Sequence, residues 1–259
     1  MPEKWKETAR IIQRECIGDE IYSMWLETEE IARNAVPGQF ISVYCRDGSR
    51  LLPRPISICE IDERDRTLRL VYRAVGKGTE EFAELSEGEY LEILGPLGNG
   101  FPLDRCGEGK KAFLIGGGIG IPPLVELAKQ LKGEKQIILG YRDERFLDDE
   151  LEYEGSVYVA TEDGSYGTKG NVLDAIRENG LTADVIYACG PTPMLRALKS
   201  YAEAEGIECW LSLEERMACG VGACLGCVCK STEIDPHSQV HNKRICKDGP
   251  VFRSTEVEL

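Results

Sequence analysis

Histidine is almost missing from this chain: there are two, His237 and His241, among 259 residues. Neither follows a cysteine at close range, which argues against a Rieske centre, where two imidazoles replace two thiolates on one iron. Basic charge is also short. Lys and Arg number 31 against 45 Asp and Glu, for a formal net charge of −14. Such a surface lacks the basic stripe that nucleic acid rewards, and it repels anionic lipid. No long apolar run is present: the longest, Ala112 to Val125, carries four Gly and two Pro and cannot span a bilayer. The stretch MPEKWKETARIIQRE is charged and has no apolar h-region, so no export and a cytoplasmic location are expected. No internal repeat or low-complexity tract stands out.

Cysteine, by contrast, is plentiful. Eleven residues, an odd number with no secretory signal, point to thiols that serve metals rather than disulfides. Cys219-x4-Cys224-x2-Cys227, with Cys246 further on, has the C-x4-C-x2-C…C spacing by which plant-type ferredoxins hold a [2Fe–2S] cluster. Gly220, Gly222 and Gly226 interleave these ligands, so the loop can fold tightly and aim backbone N–H groups at sulfur. Cys229 points away from the others if its stretch is extended, which makes Cys246 the preferred fourth ligand. The competing reading is structural zinc. Cys224-x2-Cys227 and His237-x3-His241 imitate a finger, but the gap between the pairs is short and the apolar residues of a finger core are absent.

Three segments separate by pattern. Up to about residue 100 the chain alternates apolar and polar residues in short runs such as QFISVYC and TLRLVYRAV, the signature of an antiparallel β-barrel, with one short helix near Glu80 to Leu85. From 101 to 212, buried strands such as KKAFLIGGG alternate with helices such as PPLVELAKQLK, which predicts βαβ units on a parallel sheet. Residues 213–259 are too few for a free-standing ferredoxin, so a cluster is expected to staple a small terminal module.

Two cofactor cradles are expected. In the first, Arg54-Pro55-Ile56-Ser57 opens a strand with a guanidinium fork suited to pyrophosphate and a hydroxyl able to bond a ring nitrogen. Tyr72 and Arg73 end another strand, and Gly76-Lys77-Gly78-Thr79 opens a helix, a ready anion site. Together these look like a flavin nucleotide cradle.

In the second, Gly116-Gly117-Gly118-Ile119-Gly120-Ile121-Pro122-Pro123 lies between strand and helix. There a backbone can approach a pyrophosphate, although Ile121 departs from the G-x-G-x-x-G fingerprint. Asp143 and Glu144 suit a ribose hydroxyl and NAD, whereas Arg142 and Arg145 suit the 2′-phosphate of NADP. Cys189 and Gly190, in Cys-Gly-Pro-Thr-Pro-Met, end a strand where ligands bind. The Cys189 thiol either lies against a nicotinamide or packs as a small hydrophobe.

With these motifs in their order, the chain resembles the ferredoxin–NADP reductase superfamily over essentially its whole length. Its tail adds M-A-C-G-x-G-A-C-x-x-C from Met217 and C-x-D-G-P-V-F from Cys246, a pattern similar to the electron-transfer subunits of dihydroorotate dehydrogenase B. The resemblance implies FAD at Arg54 to Ser57, Val71 to Arg73, Gly78 and Thr79. It further implies NAD on the parallel domain and a [2Fe–2S] cluster on Cys219, Cys224, Cys227 and Cys246. It also implies a heterotetramer with an FMN-bearing catalytic subunit that oxidises dihydroorotate in pyrimidine biosynthesis, electrons passing from FMN through the cluster and FAD to NAD. Two alternatives stay open: a related reductase subunit for another partner, such as a sulfide dehydrogenase or a ferredoxin–NAD(P) reductase, and a non-enzymatic zinc-stapled module.

Overall fold

The alternating runs close into a barrel because each strand has one apolar face to bury. In the computed structural model, which describes residues 3–142, 144–235 and 239–259, β1 (Trp5–Gly18) and β2 (Ile21–Glu27) lead through a short α1 (Ile31–Asn34) to β3 (Phe40–Val43), β4 (Arg54–Asp62) and β5 (Thr67–Arg73). Helix α2 (Lys77–Glu84) precedes β6 (Tyr90–Leu97), and the strands close in the order β1-β2-β5-β4-β3-β6. Ile11, Leu26, Ile41, Ile58 and Ile93 point inward and are fully buried. Helix α2 covers this core with Phe82, and its first turn is fixed by the Thr79 hydroxyl, which accepts the N–H groups of Val75 at 3.1 Å and Gly76 at 3.3 Å.

The central part runs β7 (Lys111–Gly117), α3 (Pro123–Gln130), β8 (Glu134–Tyr141), α4 (Asp148–Leu151), β9 (Ser156–Thr161), β10 (Thr168–Lys169), α5 (Val172–Glu178), β11 (Val185–Cys189), α6 (Thr192–Glu205) and β12 (Glu208–Ser212). The chain leaves β7 toward β8, β9 and β10, then returns to lay β11 and β12 on the other side of β7. The carboxyl ends of β7 and β11 therefore form a switch point, where open α/β sheets bind ligands.

The tail forms a hairpin of β13 (Val228–Lys230) and β14 (Asn242–Arg244), then α7 (Ile245–Asp248) and β15 (Val251–Arg253). Strand β15 lies antiparallel on β12, so residues beyond 212 supply the seventh strand of the otherwise parallel sheet. Asp143 and His237 lie outside the described residues. Among the described residues, no helix is long and apolar enough to cross a membrane.

A buried ion network joins barrel and sheet. Arg69 on β5 donates to Ser23 Oγ at 2.9 Å, to Glu60 Oε2 at 2.5 Å and, across the junction, to Glu150 Oε1 at 3.0 Å. Lys129 on α3 pairs with Glu60 from the sheet side, and Glu126 accepts the Ile61 N–H at 2.8 Å. Burial alone raises the Glu60 carboxyl, but the hydrogen bonds from Lys129 and Arg69 outweigh it and hold the group below its ordinary value.

Arg69→Met leaves Glu60 buried with one partner gone and is expected to cost about 3–5 kcal/mol in denaturant unfolding. A carboxyl depressed on folding stabilises above its unfolded pKa, near 4.3 for a free Glu, and that stabilisation is lost as pH falls through the lower folded value. The wild-type acid dependence should therefore be visibly flatter in Arg69→Met; equal slopes would remove Glu60 from the account.

Candidate functional site

Between Cys219 and Cys227 the backbone is irregular, and it turns its N–H groups onto sulfur. Cys219 Sγ accepts from Val221 at 3.4 Å and Ala223 at 3.3 Å, and Cys224 Sγ accepts from Gly226 at 3.4 Å. Cys246 Sγ accepts from Gly222 at 3.1 Å, and Cys227 Sγ accepts the Cys246 N–H at 3.4 Å. The thiols hydrogen-bond in two pairs, Cys219 with Cys224 and Cys227 with Cys246. Two thiolates per iron is what a two-iron cluster asks for, whereas a single zinc ion needs its ligands around one point.

The loop favours the thiolate at two of these positions. Burial pushes Cys219 up, but the Val221 and Cys224 amides outweigh it and bring the thiol down to about 7. A hydrogen bond from the Cys246 thiol brings Cys227 down to about 6 against its burial, and Cys246, the donor, is pushed up. Cys229 behaves otherwise. It lies in the extended β13, donates to Lys243 O at 3.6 Å and is pushed up to about 11 by burial. These donors and pairs fit a [2Fe–2S] cluster on the four expected cysteines.

The flavin motif adjoins this loop. Gly220 packs so closely on Ser42 of β3 that a β-carbon there would lie 2.8 Å from Ser42 Oγ. Ser42 is the cross-strand partner of Pro55, and Phe40 that of Ser57. Arg54, half-buried at the start of β4, bonds Leu52 O and lies against Gly78, where a β-carbon would overlap its guanidinium. Among the described residues, neither Arg54 nor Arg73 has a carboxylate partner, whereas nearby Arg50 is paired with Glu81 at 2.6 Å. An unneutralised guanidinium beside a glycine at a helix start fits a pyrophosphate.

Tyr72 and Val71 contribute differently from Arg73. The Tyr72 ring is buried in the barrel between Tyr22 and Phe82, and among the described residues its hydroxyl has no hydrogen-bond partner; burial pushes it up. Val71 is buried at the junction of barrel and sheet.

At the switch point the two glycine motifs meet. Cys189 pairs with Gly116 across the sheet, and Gly120 lies against the Cys189 carbonyl with Gly190 Cα only 2.6 Å from where a β-carbon would be. Gly117 is covered by Met194 and Pro191, and Gly118, with φ +51°, turns the chain toward α3. The Cys189 thiol is pushed up to about 12, chiefly by burial, and hydrogen-bonds Ser212, so it stays protonated. After β8, Glu144 accepts the Asp19 N–H at 2.8 Å, tying this loop to the barrel. Arg145 pairs with Asp148 at 2.7 Å and stacks on Tyr166 at 3.6 Å, while Arg142 is exposed. Glu144 and Arg145 are thus already engaged, through contacts that no local pattern of residues reveals.

Residues 214–258 match the iron–sulfur cluster binding domain of dihydroorotate dehydrogenase B. The dihydroorotate dehydrogenase B (NAD(+)) electron transfer subunit of Geobacillus sp. (strain WCH70) is 45% identical over 260 residues, covering 98% of this chain and 99% of that one. The corresponding subunit of Bacillus velezensis is 47% identical over 249 residues, covering 94% and 95%. The chain belongs to this family of electron-transfer subunits.

Among solved structures, the NADH-dependent reduced ferredoxin-NADP oxidoreductase superimposes with a TM-score of 0.86 at 27% identity, over 97% of this chain and 90% of that one. The ferredoxin NADP+ reductase of Neisseria gonorrhoeae, at 16% identity and a TM-score of 0.64 over 78% and 92%, shares the fold. One contact between barrel and tail has no counterpart among the motifs. Asn99 donates from Nδ2 to Asp248 O at 2.9 Å and from its amide to Gly249 O at 2.6 Å, fastening the barrel to the segment after Cys246. A lone Asn in a loop carries no signal for that.

Two outcomes are expected from substitution. Ser at Cys219, Cys224, Cys227 or Cys246 should abolish the reduced-state EPR signal and bound iron, while Cys229→Ser keeps both; iron retained in Cys246→Ser but lost from Cys229→Ser would reverse the assignment. Gly78→Ala must displace Arg54 and should weaken FAD binding at least tenfold by fluorescence titration, with the cluster intact.

Proposed function

We propose that this chain relays electrons between an FMN-bearing dihydroorotate dehydrogenase partner and NAD, through a [2Fe–2S] cluster on Cys219, Cys224, Cys227 and Cys246 and an FAD on the barrel. The observation that carries this reading is adjacency: Gly220 of the cluster loop rests on Ser42, one strand from the Arg54–Ser57 motif. The relatives' description as electron transfer subunits supports it. When bound, the cluster, flavin and nicotinamide supply the exchange between single-electron and hydride transfer.

The chain's own residues bind and orient. Arg54, with the α2 start at Gly78 and Thr79, holds pyrophosphate, and Ser57 offers its hydroxyl to the flavin ring. Gly116, Gly117, Gly118 and Gly120, with Gly190, form the dinucleotide floor. Cys189 acts there as a small neutral thiol, since burial keeps its proton on. Asp143, outside the described residues, is the carboxylate proposed for the adenosine ribose from its place after β8.

The partner docks on the cluster tip. Leu225 and Val228 are exposed there beside Cys224, the exposed ligand, and an apolar tip suits a protein face better than water. The assembly is a heterotetramer in the cytoplasm, a compartment that suits a chain whose cysteines are all free. A second reading, a reductase subunit for a ferredoxin-like partner, is favoured by the nearly full-length likeness to the ferredoxin-NADP oxidoreductase.

The reconstituted chain alone should pass electrons from NADH to dyes and fail to oxidise dihydroorotate. Adding the FMN subunit should restore dihydroorotate-dependent NAD reduction, and Cys219→Ser should block that route while leaving NADH-to-dye activity. Fast reduction of FAD by dihydroorotate in a Cys219→Ser complex would end the relay reading; reduction only with ferredoxin would favour the second one.

A further inference from the structure

Arg244 ends β14, two residues before Cys246, and its side chain is only 10% exposed. A guanidinium that deep must be fully partnered. Asp248 accepts from Nε at 3.1 Å, from Nη2 at 3.4 Å and from the Arg244 backbone N–H at 2.8 Å. Asp235 lies 3.8 Å from Nη2 on the other side. Together these fix the plane of the fork and leave Nη1 donating to the Gly222 carbonyl at 3.3 Å.

That carbonyl shares a peptide unit with the Ala223 N–H. In a planar trans peptide the two groups point in opposite directions, so holding one aims the other. The Ala223 N–H donates to Cys219 Sγ at 3.3 Å, and the preceding unit sends the Gly222 N–H to Cys246 Sγ at 3.1 Å. Gly222 thus serves one thiol of each pair. Its φ of +84° lies in the left-handed region, and with no β-carbon it puts up little resistance to rotation of the peptide that follows. A flip of the Gly222–Ala223 unit would turn a carbonyl oxygen toward Cys219 sulfur, negative end against negative end.

We propose that Arg244 is a positioning residue for the redox centre. By gripping the Gly222 carbonyl it prevents that flip and polarises the peptide, which strengthens the N–H…S bond to Cys219 and favours the reduced, more negative cluster. This rests on the [2Fe–2S] reading of the four thiols.

The test is an EPR-monitored redox titration of the full, cluster-loaded chain as wild type, Arg244→Lys, Arg244→Met and Asp248→Ala. At the wild-type midpoint the reduced-to-oxidised ratio should fall roughly 2- to 10-fold in both Arg244 variants, the worth of one ordinary hydrogen bond. Pulsed EPR should show weakened coupling to the Ala223 amide, with FAD content unchanged. Asp248→Ala separates the causes. Losing a nearby negative charge would by itself make reduction easier, whereas loosening the brace makes it harder, so a fall is expected. An Arg244→Lys cluster that titrates as wild type, or an Asp248→Ala cluster that becomes easier to reduce, overturns the proposal while the ligand assignment stands. A wild-type chain without an iron signal removes both.

Discussion

The segment from Asp248 to Arg253 is gripped from two sides, and the relation of the three cofactor regions depends on that grip. Asn99, just past the last barrel strand, bonds Asp248 O and Gly249 O. Leu213 N–H donates to Pro250 O at 2.9 Å, and β15 then lies along β12. Cys246 is upstream of the same segment, so the fourth thiol proposed for the cluster is set against barrel and sheet at once. A cluster module joined only by a linker would sample many distances to the flavin, whereas a backbone hydrogen-bonded into both neighbours has few left.

The second constraint is electrostatic. Arg69, Glu60, Lys129 and Glu150 place opposite charges across the junction of β4 and β5 with α3 and α4. Buried ion networks contribute modest net stability, but they penalise misdocking strongly, because a displaced charge is left without water or partner. Such a junction fixes angle as well as contact. The angle matters here, since flavin and dinucleotide motifs stand on opposite sides of it.

Around the thiols, the same economy of backbone donors recurs. Val221, Gly222, Ala223 and Gly226 each send an N–H to sulfur, and Arg244 steadies the middle of that row from behind. Reduction makes an iron–sulfur cluster more negative as a whole, so fixed dipoles pointing at its sulfurs would act on potential directly, while side chains further out would act by holding the dipoles still.

Much of this was legible in the residues. The Cys219–Cys227 spacing, the Arg54–Ser57 and Gly116–Pro123 motifs and the two kinds of periodicity are local properties; the periodicity led to the barrel-plus-sheet architecture, and the motifs to the residues proposed for the cluster and the cradles. What the sequence could not decide depends on contacts between residues far apart in the chain. Tyr72 belongs to the flavin motif, yet its ring is turned into the barrel. Glu144 was a candidate ribose ligand, yet it caps the turn at Asp19, 125 residues earlier. Arg244 belongs to no motif, yet it is enclosed by Asp235, Asp248 and the loop that carries the thiols. Spacing along a chain selects which groups can meet a ligand. Whether a side chain is free to do so is settled by the neighbours that packing brings to it, and those are written into the fold rather than into any one stretch of sequence.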